Sequence, residues 1–156
     1  MSRYQQVLRA LFAVIFIAGG LVHFVLGRLL PAGYAGFGET ALIPWLRALW
    51  ASFVMPNLAW LTILLGCYEI ACGVGMIWRR TVTLAVVGML GFLVFITIVG
   101  YGYPAASPLE DLVKNRLVTI IMAGLLVPLL IVRNRQTNAT TRGPTITGVL
   151  PDANAK

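Results

Sequence analysis

Four long apolar runs dominate the sequence, at about residues 7–30, 57–78, 82–103 and 114–132. Each is long enough to cross a bilayer as a helix, which takes roughly 20 residues. The first carries no charge between Arg9 and Arg28, and the fourth has 16 uncharged residues between Arg116 and Arg133. That last stretch is short, but Arg and Lys can snorkel to the headgroups. Over the 156 residues, hydrophobic types make up 59% and charged types 11%, against a norm of about 25% charged for soluble domains. A soluble domain of this size could not hide so much apolar surface. A soluble enzyme, a disordered chain and a disulfide-rich scaffold are therefore excluded. The expectation is an all-α membrane protein, a bundle of four transmembrane helices over residues 1–133. The first run is longer than the apolar core of a signal peptide and no clear A-x-A site follows it, so it reads as a retained helix.

The net charge of +7 sits at the edges of the apolar runs, which fits a lipid bilayer as the partner and not nucleic acid. With four alternating spans, Arg3, Arg9, Arg79, Arg80, Arg133, Arg135, Arg142 and Lys156 fall at one end and Arg28, Arg47, Lys114 and Arg116 at the other. The positive-inside rule puts the richer end, and with it both termini, in the cytoplasm of a cell in whose inner membrane the chain sits. Trp60, Tyr101 and Tyr103 then fall at the outer interface and Trp78 at the inner one. In the long first outer loop, Leu42, Trp45, Leu46, Leu49, Trp50 and Phe53 can share one helical face. That face predicts an interfacial helix on the outer leaflet; a loop folded over the helix ends is the alternative. The preceding Gly33–Gly38 stretch carries no helix signal and reads as a flexible loop. Residues 134–156 are polar and aperiodic, as expected of a disordered cytoplasmic tail.

Glu69 is the one charge deep inside a span. A mid-bilayer carboxylate costs about 2.5–3.5 kcal/mol on insertion scales, so it should face the bundle interior and have a partner or a task. Thr62, Gly66, Glu69, Gly73 and Met76 recur at heptad spacing, and so do Ala13, Phe16, Gly20, His23, Gly27 and Leu30. Both stripes are rich in small residues, over which two helices can approach closely. The only histidine therefore shares a seam type with the only buried acid. Counted from the outer ends, their Cα atoms differ in depth by roughly 7 Å, which two side chains can bridge. Three readings of a Glu69–His23 pair stand side by side: a structural pair, a site for a small polar or quinone-like headgroup, and a proton relay.

Other residues read more plainly. Cys67 and Cys72 are five apart on one helix, about 7.5 Å along its axis, too far for a disulfide. Gly88 and Gly91 on the third span read as helix-packing positions beside Phe95 and Ile98. Arg28, Arg47 and Arg116 offer an outer basic mouth above His23 and Glu69, with solvated ion pairing to Glu110 and Asp111 as the plainer reading. No metal-ligand cluster is spelled out, and no covalently bound cofactor is expected.

Three features together resemble the DoxX-like family of small four-helix membrane proteins. They are the Gly-Gly-x-x-His segment Gly19, Gly20, His23; the run Leu65, Gly66, Glu69, Ile70, Gly73, Gly75; and a long outer loop after helix one with a tight basic turn after helix two. The resemblance covers about residues 5–133. It implies an auxiliary membrane subunit of a quinone-linked or oxidative-stress redox system, not a stand-alone enzyme, working with a redox partner protein and with quinone as the candidate ligand. A small-solute transporter or channel subunit, which would have to homo-oligomerise, and a purely structural subunit of a larger complex remain the alternatives.

Overall fold

The computed structural model describes residues 3–141, and their side chains as far as residue 130. Helix α1 covers Arg3–Leu29. A short 3₁₀ turn, Pro31–Tyr34, leads into α2, Ala35–Glu39. Helix α3, Pro44–Leu49, runs on as a π-helical turn, Trp50–Val54. Then come α4, Leu58–Gly75, and α5, Val82–Val99. Helix α6, Pro108–Asp111, passes through a π-helical turn, Leu112–Arg116, into α7, Leu117–Thr141.

Four of these stretches are long and apolar enough to span a membrane: α1, α4, α5 and the continuous run Pro108–Leu130. The chain is thus an all-α, four-span membrane protein. Its outward faces are apolar along their length, with Leu84 76%, Val14 66% and Val7 65% exposed, a surface suited to lipid and not to water.

Several boundaries differ from the sequence expectation. The third span stops at Val99 instead of 103, because Gly100 and Gly102 take positive φ of 84° and 81°, a backbone that ends a helix and favours glycine. The fourth span starts earlier, at Pro108. Its first turn is built by proline in an N-terminal position and by the Ser107 hydroxyl, which accepts a hydrogen bond from the Glu110 amide at 3.2 Å. Helix α7 continues through Pro128 to Thr141, so residues 134–141 of the expected disordered tail are helical backbone. Residues 142–156, where the rest of that tail falls, lie outside the described residues. The Gly33–Gly38 stretch is not a loop either; it forms the 3₁₀ turn and α2. Two of its three glycines, Gly36 and Gly38, allow close approach, while a Cβ on Gly33 would meet nothing within 4 Å. A Cβ on Gly38 would come within 2.6 Å of the Trp50 indole, and one on Gly36 within 3.0 Å of Gly102.

The tightest seam joins α1 to α4. A Cβ on Gly20 would lie 2.5 Å from the Gly66 carbonyl oxygen, and one on Gly66 would lie 2.6 Å from that of Gly20. Gly73 meets Ala13 and Ile17, and Gly27 meets Thr62. Of the two predicted heptad stripes, the α4 stripe is buried throughout; in α1 His23 is half-buried and only Leu30 is exposed. On α5 the pattern separates. Gly88 packs against Tyr68 and Cys72, whereas an added Cβ on Gly91 meets nothing within 4 Å. Gly91 is exposed beside Phe95 and is not a packing position.

Each end of the bundle has its own fastening. At the Arg79–Arg80 end, Arg9 caps the C-terminus of α4, donating through Nε to the Met76 carbonyl at 2.8 Å and through a terminal nitrogen to that of Ile77 at 2.8 Å. At the other end the first loop folds over the helix ends. Leu46 and Trp50 are buried there with Ala41 and Val99, while Leu42, Trp45, Leu49 and Phe53 stay exposed. The expected single apolar face is therefore two stripes, one turned to the bundle and one outward.

Gly20→Val is expected to lower stability in detergent by about 1–3 kcal/mol, the usual result of forcing volume into a filled contact. Gly91→Ala is expected to leave the unfolding temperature unchanged or slightly raised, because the helix gains propensity and nothing is displaced. Thermal unfolding of the two variants side by side checks both.

Candidate functional site

The close α1–α4 seam sets the position of Glu69. One turn before His23, Gly19 presents bare backbone to α4, and the Glu69 carboxylate lies against it. A Cβ on Gly19 would stand 2.8 Å from Glu69 Oε2. The side chain is 4% exposed as a whole residue. His23 Nε2 lies 3.4 Å from Glu69 Oε1, within ion-pair range but long for a hydrogen bond. On its other side, His23 Nδ1 pairs with the Tyr34 hydroxyl at 2.7 Å. The structure thus brings the two predicted residues together and adds a third.

Tyr34 is held from both directions. Its carbonyl accepts the Trp50 indole N–H at 2.8 Å, and its ring stacks on Phe37, which stacks in turn on Trp50. Phe37 also meets Tyr101. These four aromatic rings form a lid over the loop end of the bundle. Burial first, and the Glu69 charge second, raise the phenol pKa of Tyr34 and of Tyr101 above the ordinary tyrosine range. Both hydroxyls stay protonated near neutral pH.

Beneath the lid is a cavity of about 270 Å³ where α1, α4, α5 and α7 meet. Its walls are mostly apolar, Phe16, Phe92 and Met122 among them, and four polar side chains reach it: His23, Glu69, Tyr101 and Thr119. Thr119 is already engaged, sharing a 2.7 Å hydrogen bond with the Thr97 hydroxyl and donating to the Arg116 carbonyl at 2.7 Å. Glu69 is not. Its Oε2 is buried and has no hydrogen-bond partner, alone in this among the buried side-chain N and O atoms of the described residues.

The triad is a polar chain of one hydrogen bond, Tyr34–His23, and one ion-pair contact, His23–Glu69, and it can be polarised in two directions. With Glu69 ionised, the Tyr34 hydroxyl donates to Nδ1 and Nε2–H points at Oε1. With a proton on Oε1, the carboxyl donates to Nε2 and Nδ1–H donates to the tyrosine oxygen. The direction of the Tyr34–His23 bond is thus tied to whether Oε1 faces Nε2 as an acceptor or as a donor.

The three arginines expected to form an outer mouth do not converge. Arg47 and Arg116 line a separate open cleft of about 490 Å³ on the far side of the lid, and Arg28 lines neither space. Arg116 is buried and saturated. It pairs with Asp111 at 2.8 Å, donates to the Thr40 carbonyl at 2.7 Å and also reaches the Thr97 and Ile98 carbonyls. Asn115 beside it is fully buried and holds the Tyr103 backbone by its N–H and its C=O, at 2.9 Å each. Glu110 and Lys114 form the solvated pair. Lys114 Nζ lies 2.5 Å from the Glu110 carboxylate, and such an exposed pair adds little stability.

Cys67 and Cys72 are both free thiols, one exposed and one buried. Among the described residues, no three His, Cys, Asp or Glu side chains gather closely enough to hold a metal ion. Tyr34 and Tyr101 are the site residues that periodicity misses, since both lie outside the spans; only the folding of the loops brings Tyr34 to His23 and Tyr101 to the cavity wall. Comparison with protein-family models, with curated proteins and with solved structures finds no match for this chain.

A carboxylate with one orphaned oxygen is a poor structural element. Glu69→Met is expected to leave stability within about 1 kcal/mol of the parent or to raise it, as replacing buried ionic groups by apolar ones often does. A loss above about 2 kcal/mol would make the pair structural. His23→Ala and Tyr34→Phe are expected to couple by about 0.5–1.5 kcal/mol in a double-mutant cycle of unfolding free energies.

Proposed function

We propose that this chain is an auxiliary membrane subunit of a quinone-linked redox system, and that the cavity under the lid holds the quinone or quinol headgroup. The observation that carries this reading is the unpartnered Glu69 Oε2 inside an otherwise apolar space. A buried polar atom of that kind fits a ligand that brings its own hydrogen bond. As a carboxylate, Oε2 accepts from a quinol hydroxyl; carrying a proton, the same atom donates to a quinone carbonyl. Oε1 stays turned toward His23 Nε2 in both states. Tyr101, with its hydroxyl protonated, is a second donor on the cavity wall. The resemblance to the DoxX-like family points the same way, and a redox partner protein takes up or supplies the electrons.

Equilibrium binding of a labelled short-chain benzoquinol to purified protein tests this. The parent chain is expected to bind. Glu69→Met, which removes a charge-assisted hydrogen bond, is expected to weaken binding about 10- to 150-fold. Gly19→Leu, which displaces the carboxylate without removing it, is expected to weaken it as well. Binding that ignores both substitutions, or no binding by the parent, overturns the reading.

We also propose that the lid faces the outside of the cytoplasmic membrane and that the Arg79–Arg80 turn and both termini face the cytoplasm. The excess of basic residues at the termini end supports this orientation. Reporter fusions after Arg80 and at the C-terminus are expected to read cytoplasmic, and one at Gly36 external. An external C-terminus would reverse the assignment.

A further inference from the structure

The bundle is not closed evenly. α1 packs along α4, α4 against α5 and α5 along α7, but α1 and α7 barely meet. The cavity lies at that weak seam. On α1, Ile15 and Val22 line it, yet they are 39% and 48% exposed on the bundle's outer surface. Side chains that face both a cavity and the outside are the edge of an opening, and here the outside is lipid. Met122 of α7 lines the cavity from across the seam. Ile15 and Val22 are seven residues apart, so this edge runs for roughly 10 Å along α1. The route toward water is obstructed instead, by Phe37 and Tyr101 of the lid.

Size points the same way. The cavity holds about 270 Å³, just under the roughly 300–1,000 Å³ of sites that enclose a drug-sized ligand. A single-ring headgroup fits, but a long tail does not. Taking the headgroup site of the preceding section as given, we infer that the ligand is a lipid-tailed phenol or quinol that enters sideways from the bilayer between α1 and α7. Its ring reaches Glu69 and its tail stays in the slot bordered by Ile15, Val22 and Met122. The open cleft beside Arg47 takes no part.

The test compares two ligands in phosphatidylcholine nanodiscs, an isoprenoid-tailed benzoquinol and its tailless counterpart. Val22→Trp and Ile15→Trp add bulk at lipid-exposed positions, where the fold tolerates it. Each is expected to weaken the tailed ligand at least tenfold and the tailless one less than twofold. Equal effects on the two ligands, or none on either, overturn the slot while leaving the headgroup site standing. If the parent chain binds neither ligand, the headgroup site falls and the slot with it. A second measurement does not depend on how the variants fold. A photoreactive group on the tail is expected to label Ile15, Val22 or Met122 in the parent chain, and labelling confined to residues 35–40 and 101–106 overturns the slot.

Discussion

The approach of two helix backbones at Gly20 and Gly66 is the contact on which the rest depends. In a bilayer the hydrophobic effect does not drive helices together, because lipid tails are as apolar as leucine side chains. Close packing over small residues does. Here the facing glycines leave no room even for a methyl group. That approach brings α4 so near α1 that the Glu69 carboxylate lies on the bare backbone of Gly19, within ion-pair range of His23. A larger residue at Gly19, Gly20 or Gly66 would push the acid away from the histidine before any polar chemistry could begin. The seam is therefore both the mechanical core of the fold and the mount of the site.

The lid depends on a different chemistry. Its backbone turns lie at the membrane edge, where carbonyls and amides still need partners. Arg116, Asn115 and Thr40 supply them. Arg116 gathers carbonyls from the first loop and from the end of α5, Asn115 clamps the Tyr103 backbone, and the Thr40 hydroxyl donates to the Val99 carbonyl at 3.0 Å and accepts from the Gly102 amide at 3.1 Å. With both loops tied to the start of the fourth span, Tyr34 and Tyr101 are fixed above the cavity. The polar residues at this end thus serve as a frame for the aromatic groups, and the charge they carry is spent within the protein.

Much of this was legible in the sequence where periodicity alone decides. The four spans, the Thr62–Met76 stripe and the pairing of Glu69 with His23 follow from apolar length and heptad spacing, because a helix in lipid must hide its small and polar residues on one side. Periodicity reports that a residue is hidden, not what hides it. Gly91 sits three residues from Gly88 and reads as the same face, yet α5 is apolar all round and its pattern carries almost no direction. The lid was not legible for a related reason. Tyr34 meets His23 only because Gly36 and Gly38 let the first loop fold flat against Gly102 and Trp50. Arg116 looked like an anchor for headgroups because nothing in the sequence marks the carbonyls that two separate loops bring to it.

The placement of the fastenings separates stability from the site. The largest hydrophobic cluster, with Phe12, Met76, Val86, Met89 and Leu126 buried within it, extends from the cavity floor toward the end that Arg9 caps. The aromatic cluster of the lid lies on the other side of the cavity. Between them, the α1–α7 seam is weakly packed and the buried acid keeps one oxygen without a partner. An unpaired polar group in low dielectric costs about 1–3 kcal/mol. A four-helix membrane bundle with packed cores above and below can carry that cost at its middle without losing its shape. A Met at position 69 would fill the space and remove the cost, so packing alone gives no reason for a glutamate there.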